Sequence, residues 1–154
     1  MSADVSELIA LSDNLKVTKK QMPGFLRTLI QQEGLYAVEQ AKTITQQEHI
    51  FNTGDYMRNW DVGKPHRFGN RYFIRFFNNL HYAIHLEYGT RGHYVPGYWE
   101  GNQFVYKKGF PGGVYMRAQP GHFVMRRAIE QTKTTQDARL RRRIDKYFQE
   151  AIPK

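Results

Sequence analysis

A chain of 154 residues, 40% of them hydrophobic, is long enough for one domain with a buried core, which excludes wholesale disorder. No apolar run approaches the ~20 residues that span a bilayer. Cysteine is absent, so disulfide frameworks and thiolate chemistry are excluded. The start Met1-Ser2-Ala3-Asp4-Val5 lacks the basic and apolar regions of a signal peptide, and a reducing compartment is expected. The formal net charge of +9, from 23 Lys and Arg against 14 Asp and Glu, points to a polyanion or to an acidic protein partner.

Residues 1–48 are expected to form two N-terminal helices. Ser2 can cap the first, and Val5, Leu8, Ile9 and Leu15 supply its apolar stripe. Residues 16–20, polar and basic, read as a connection or a frayed helix end. Met22-Pro23-Gly24 opens the second helix, with Pro23 in the first turn, where its missing N–H is tolerated. Phe25, Leu29, Tyr36, Ala37, Ala41 and Ile44 recur at three- and four-residue steps, or at sums of them. That spacing makes one face of a long helix ending near Gln47. Gly34 within it costs ~1 kcal/mol against Ala and marks a close packing point.

Residues 53–88 read as a sheet and a short helix. Asn52-Thr53-Gly54-Asp55 is a turn, and Tyr56 to Trp60 is a short turn or helix leading into a strand. Gly63-Lys64-Pro65 and Phe68-Gly69-Asn70 are breakers, with His66 and Arg67 on an exposed loop between them. Arg71-Tyr72-Phe73-Ile74-Arg75-Phe76-Phe77 is the clearest strand, apolar on both faces and so expected to be covered on both. Residues 82–88 fit a helical turn and a half or a strand; helix is favoured, with Tyr82 and Leu86 on one inward face and Gly89 as its stop.

Residues 91–120 form an irregular aromatic flap, punctuated by Pro96-Gly97, Gly101-Asn102 and Pro111-Gly112-Gly113. Tyr98-Trp99-Glu100 and Gln103-Phe104-Val105 flank Gly101-Asn102 as the strands of a hairpin do. An excursion this long inside a compact domain is functional or mobile. Residues 121–152 form the closing helix. Its apolar patches are Val124, Met125, Ala128 and Ile129, then Leu140, Ile144, Tyr147, Phe148 and Ile152. The weak helix formers Thr132, Thr134 and Thr135 between them allow a kink or break over 130–137.

Motifs for catalysis are sparse. His81 and His85 stand four apart with Glu87 nearby, but Tyr82 follows His81 where a metallopeptidase has glutamate, and two unrelated histidines is the better reading. His49, His66, His93 and His122 are dispersed, with no spacing that marks an acid–base pair. No phosphate-binding glycine loop, nucleophile elbow or paired-carboxylate motif is present. Arg126, Arg127, Arg139, Arg141, Arg142 and Arg143 make the closing helix basic. They read either as contacts to DNA phosphates or as a solvated face whose arginine stems cover apolar neighbours. The flap aromatics read as stacking platforms for bases, as a subunit contact, or as packing on the protein's own sheet. The subunit contact ranks first, because the excursion has no internal partner legible in the sequence.

Three pieces in chain order resemble one family. Thr53-Gly54-Asp55-Tyr56-Met57-Arg58-Asn59-Trp60 looks like a Thr-Gly-x-Leu-Arg-x-Ser pattern. Tyr82-Ala83-Ile84-His85-Leu86-Glu87-Tyr88-Gly89-Thr90 looks like Tyr-Ala-x-x-x-Glu-Tyr-Gly-Thr. Pro120-Gly121-His122-Phe123-Val124-Met125-Arg126-Arg127-Ala128 looks like a Pro-x-x-Phe entry to a final helix. The trio is similar to the gene-product-ten-like tail-component family of tailed bacteriophages, which are neck or tail-completion proteins at the head–tail joint. Tyr56 and Met57 replace the usual small-plus-Leu pair, Asn59 stands where Ser is usual, and the flap is longer than the minimal pattern.

The resemblance implies a single α+β domain, a curled antiparallel sheet packed by an N-terminal and a C-terminal helix, with a long β-hairpin flap. It implies a non-enzymatic virion protein without cofactors, assembled in the bacterial host cytoplasm into a ring, commonly a hexamer. The ring would lie between connector and tail-tube proteins with DNA in its lumen, as a neck ring, tail terminator or collar. On this reading Glu87, Tyr88, Gly89 and Thr90 set the angle at which the flap leaves. Tyr94, Tyr98, Trp99, Phe104 and Tyr106 meet the next subunit. The six arginines face DNA or an acidic neighbour. The rivals are a small basic nucleic-acid-binding protein and a nuclease using one of His66, His81, His85 or His122.

Overall fold

The computed structural model describes residues 6–50 and 54–151, with side chains from Ser12 onward. The cap at Ser2, the stripe positions Val5, Leu8 and Ile9, the turn residues Asn52 and Thr53, and Ile152 lie outside this description. The elements run α1 (Ser6–Gln47), α2 (Asp55–Arg58), β1 (Trp60–Val62), β2 (His66–Phe68), β3 (Arg71–Phe73) and β4 (Phe76–Asn78). Then come α3 (Ala83–Tyr88), β5 (Gly89–Thr90), β6 (His93–Glu100), β7 (Gln103–Tyr106), β8 (Gly113–Met116), β9 (Gln119–Pro120) and α4 (Val124–Ala151). The class is α+β, and every described strand pair is antiparallel. Where one domain was expected, the chain divides into two compact units. One holds the described residues up to Asn79 and from Met125, and the other is Leu80–Val124.

The first unit is built on α1, a single helix of 42 residues with Pro23 inside it. The expected break at residues 16–20 does not occur. Pro23 has no N–H for the carbonyl one turn back, a loss that ordinarily ends or kinks a helix. Here α4 braces α1 on both sides of it: Tyr147 stacks on Phe25 with ring centroids 4.0 Å apart, and its hydroxyl donates to the Thr18 carbonyl at 3.2 Å. The predicted face of α1 is the buried one, with Leu29, Ala37, Val38, Ala41 and Ile44 in the core. Gly34 is the close packing point its position suggested: a Cβ there would lie 2.7 Å from Ile74 Cδ1.

Two corrections concern the strands. Residues 71–77 do not form one strand; they are β3 and β4, separated at Ile74-Arg75. The expected exposed loop at His66 and Arg67 is β2, which pairs with β3 around a tight turn at Gly69 (φ 57°). The four strands make one bent ribbon. β1 pairs with β4, Gly63 N donates to Arg75 O at 2.8 Å across the bend, and β2–β3 forms the tip. Only the β1–β4 end enters the core. There Trp60 packs on Tyr56 and Phe76, with centroids 5.5 and 5.7 Å away, and the Asn78 amide donates to the Tyr56 carbonyl at 2.7 Å. Phe73 is half exposed, so the expected two-sided cover is absent at the tip.

α4 is also continuous, and the break allowed over 130–137 is not seen. Thr132 donates its hydroxyl to the Ala128 carbonyl at 2.7 Å, which satisfies a buried polar group within the helix.

Candidate functional site

The second unit begins with α3, whose inward side carries Leu86 and the buried Glu87 while Ile84, His85 and Tyr88 are exposed. As expected, Gly89 stops the helix, at φ 80° and ψ −176°, a conformation essentially reserved for glycine. The next turn of chain explains why glycine is needed twice. β5 and β9 pair Gly89 with Pro120, and a Cβ on Gly89 would collide with the Gln119 carbonyl. A Cβ on Gly121 would lie 2.7 Å from the Tyr88 carbonyl carbon and 2.9 Å from Gly89 N. His122 N and Phe123 N then donate to the last α3 carbonyls, Leu86 O at 2.8 Å and Glu87 O at 3.1 Å. Two backbones thus meet with no side chain between them. This junction joins the second and third motifs of the sequence and pins both ends of the flap.

Between those ends the flap is ordered β-structure, not the irregular excursion expected. β6 is the central strand, with β7 and β8 as its edges. The predicted hairpin at Gly101-Asn102 is present, in register Trp99↔Phe104 and Glu100↔Gln103. The third strand, β8, pairs Tyr94 with Tyr115 and Val95 with Val114, and sequence reading did not find it. The connecting loop is held by Gly97 N to Gly112 O at 2.9 Å and Lys107 N to Pro96 O at 3.0 Å.

Side-chain alternation gives the sheet two faces. His93, Val95, Gly97 and Trp99 share one with Phe104, Tyr106, Val114 and Met116. Tyr94, Pro96 and Tyr98 share the other with Val105 and Tyr115. Glycines seat the rings. A Cβ on Gly97 would strike the Phe104 ring, one on Gly113 the Tyr94 ring, and one on Gly92 the Tyr115 ring. An aromatic ring laid over a strand glycine recovers packing that the glycine lacks. Trp99 meets Phe104 edge-on at 5.4 Å, and Tyr98 lies against Phe110 at 5.3 Å. The flap aromatics therefore have partners within their own sheet, yet much of their surface stays bare: Trp99 is 61% exposed and Tyr115 65% exposed, with Tyr88, Tyr94, Tyr98 and Tyr106 exposed as well.

The six arginines do not form one patch. Arg139 is turned inward, contrary to expectation. Its guanidinium donates to both Glu33 carboxylate oxygens at 3.1 and 2.6 Å, donates to Thr132 O at 3.1 Å, and lies 3.6 Å above the Tyr36 ring. The two side chains are only 11% and 3% exposed. The Glu33 hydrogen bonds raise the Arg139 pKa above its ordinary value, with burial acting in the opposite direction. Arg143 stands 3.7 Å from the same carboxylate, and Arg127 pairs with Glu48. Arg126 pairs with Glu130 on the surface at 3.1 Å, while Arg141 and Arg142 point to solvent. Among the described residues no three His, Asp or Glu side chains converge on a metal position, and no described helix is long and apolar enough to cross a membrane.

Glu33 and the ring-seating glycines 92, 97 and 113 were missed in the sequence. A single acidic residue on the inner face of α1, one step from Ala37, was the available signal for Glu33. Comparison of the chain with family models, with curated proteins and with solved structures gives no match.

Proposed function

We propose that this chain is a structural protein of a tailed phage or phage-tail-like particle. It assembles through its aromatic sheet into a ring at the head–tail joint, as a neck, tail-completion, terminator or collar component. The observation that carries the reading is the second unit. It is a three-stranded sheet with pinned ends and two edge strands whose outer sides pair with no described strand, and it displays large aromatics on both faces. Aromatic side chains supply contact area at low entropic cost and are enriched at interface centres. A ring requires that one patch of each subunit meet a different patch of the next, and a sheet with exposed aromatics suits one half of such a contact. The order of the three motifs supports the family, and the Gly89–Gly121 junction gives two of them a shared structural reason. The neighbours on this reading are connector and tail-tube proteins.

The test is light scattering and negative-stain imaging of the purified protein, alone and with tail tubes. Rings are expected at high concentration or with the partner, and Trp99→Ala weakens them. Monomers under every condition, tail tubes included, would end the proposal.

A further inference from the structure

The tip of the β1–β4 ribbon has no part in the ring argument, and it lies in the other unit. From Val62 to Leu86 the chain contains no Asp or Glu, while Lys64, Arg67, Arg71 and Arg75 fall within that stretch. The β2–β3 register places His66 opposite Phe73, and Phe68 opposite Arg71, all on one face. Each rung therefore sets an aromatic ring against a guanidinium or imidazole. Phe68 is 82% exposed and Phe73 49%, and His66 and Arg71 are exposed beside them. Among the described residues no carboxylate pairs with Arg71. The opposite face is committed elsewhere. Arg67 donates its Nε–H to Gly69 O at 2.8 Å and stacks over Tyr72 at 5.7 Å. Both side chains line a groove of about 420 Å³ with Leu15, Met22 and Phe148. Arg67 thus fixes the turn that presents the outer face.

We propose that this outer face, His66–Phe68–Arg71–Phe73, binds single-stranded DNA, stacking about two bases on the phenylalanines with Arg71 and Lys64 on the phosphates. Exposed rings interleaved with cations are the arrangement that single strands use, because every base offers a π face. A duplex hides those faces. A second copy of this basic ribbon would meet it with like charge. The proposed stacking and phosphate contacts use no ribose 2′-OH, so RNA gains nothing over DNA through them. The surface is distinct from the α4 arginines, and it holds whether or not rings form.

The experiment uses the full chain and labelled oligonucleotides of roughly ten residues, read by fluorescence anisotropy across a salt series. Oligothymidylate is expected to bind more tightly than a duplex of the same length and no more weakly than oligouridylate. Phe68→Ala weakens oligothymidylate binding about tenfold with an unchanged salt slope. Arg71→Ala lowers the slope by about 0.7. Phe68 is so exposed that its loss leaves the fold intact, which circular dichroism checks. Arg141→Ala/Arg142→Ala, on the separate basic face of α4, serves as the comparison and weakens binding less than Arg71→Ala alone. Tighter duplex or RNA binding, no effect of Phe68→Ala, or equal loss in the α4 comparison overturns the assignment. So does a Phe68→Ala variant that loses self-association and keeps its affinity for DNA. Trp99→Ala, which tests the ring, leaves oligonucleotide binding unchanged, so failure of one proposal is separable from failure of the other.

Discussion

The two compact units invert the usual placement of residue types. In the first, a carboxylate is buried against a half-buried guanidinium: Glu33 and Arg139, 106 positions apart, lock α1 to α4. In the second, large aromatics stand in solvent: Trp99, Tyr106 and Tyr115 are all exposed. Charged groups are almost never fully buried unless paired. A cluster of exposed rings exceeds the scattered apolar residues normal on a surface. The first unit therefore uses an ion pair internally to hold two helices together and bares rings chiefly at its β2–β3 tip, while the second leaves aromatics available over a whole sheet. That contrast can be broken or sharpened at four points.

The largest effect is expected at Glu33. Glu33→Ala removes the carboxylate that the half-buried Arg139 guanidinium pairs with and costs about 2–3 kcal/mol in denaturant unfolding. The double variant Glu33→Leu/Arg139→Met regains most of it, because an apolar pair of similar volume avoids the desolvation cost. If the single variant is neutral, the lock is not what holds α1 to α4.

Next is the junction in the second unit. Gly89→Ala forces a side chain into a positive-φ position already in contact with the Gln119 carbonyl. It is expected to cost about 2 kcal/mol, seen as faster hydrogen exchange of the β6–β8 amides with α1 protection unchanged. Equal loss of protection in α1 and in β6–β8 would show that the junction does not act locally.

Trp99→Ala is expected to change folding stability by less than about 0.5 kcal/mol, since the ring is mostly in solvent. It should weaken ring assembly at least about tenfold, as loss of an aromatic anchor does, measured by sedimentation velocity. The reverse pattern would make Trp99 a packing residue of its own sheet.

The smallest effect is one of pH. Folding raises the Arg139 pKa, through its Glu33 hydrogen bonds. Its contribution is therefore complete below the ordinary arginine value and is lost only as pH rises through the folded one. The stability difference between the native chain and the Glu33→Leu/Arg139→Met variant, which removes both partners, is expected to stay flat from about pH 7 to about pH 10. A difference that shrinks over that range would mean that the lock depends on another titrating group.

Much of this was legible locally. The α1 face from Phe25 to Ile44, the stop at Gly89 and the hairpin at Gly101-Asn102 depend on spacing and on backbone freedom within a few residues, and each stands as read. The α+β class follows from the same cues. What local pattern could not decide was settled by partners distant in sequence. Pro23 sits inside a continuous helix because Tyr147 and Phe25 brace it. The run 71–77 splits at Ile74-Arg75 because the Ile74 side chain fills the space at Gly34 while the ribbon bends. Of four arginines within five residues, Arg139 is turned inward, because helical rotation points it at Glu33 and leaves Arg141 and Arg142 facing water. Propensity and periodicity are properties of neighbours along the chain; which side chain meets a glycine, a proline or a buried carboxylate is a property of packing, and only the folded protein determines it.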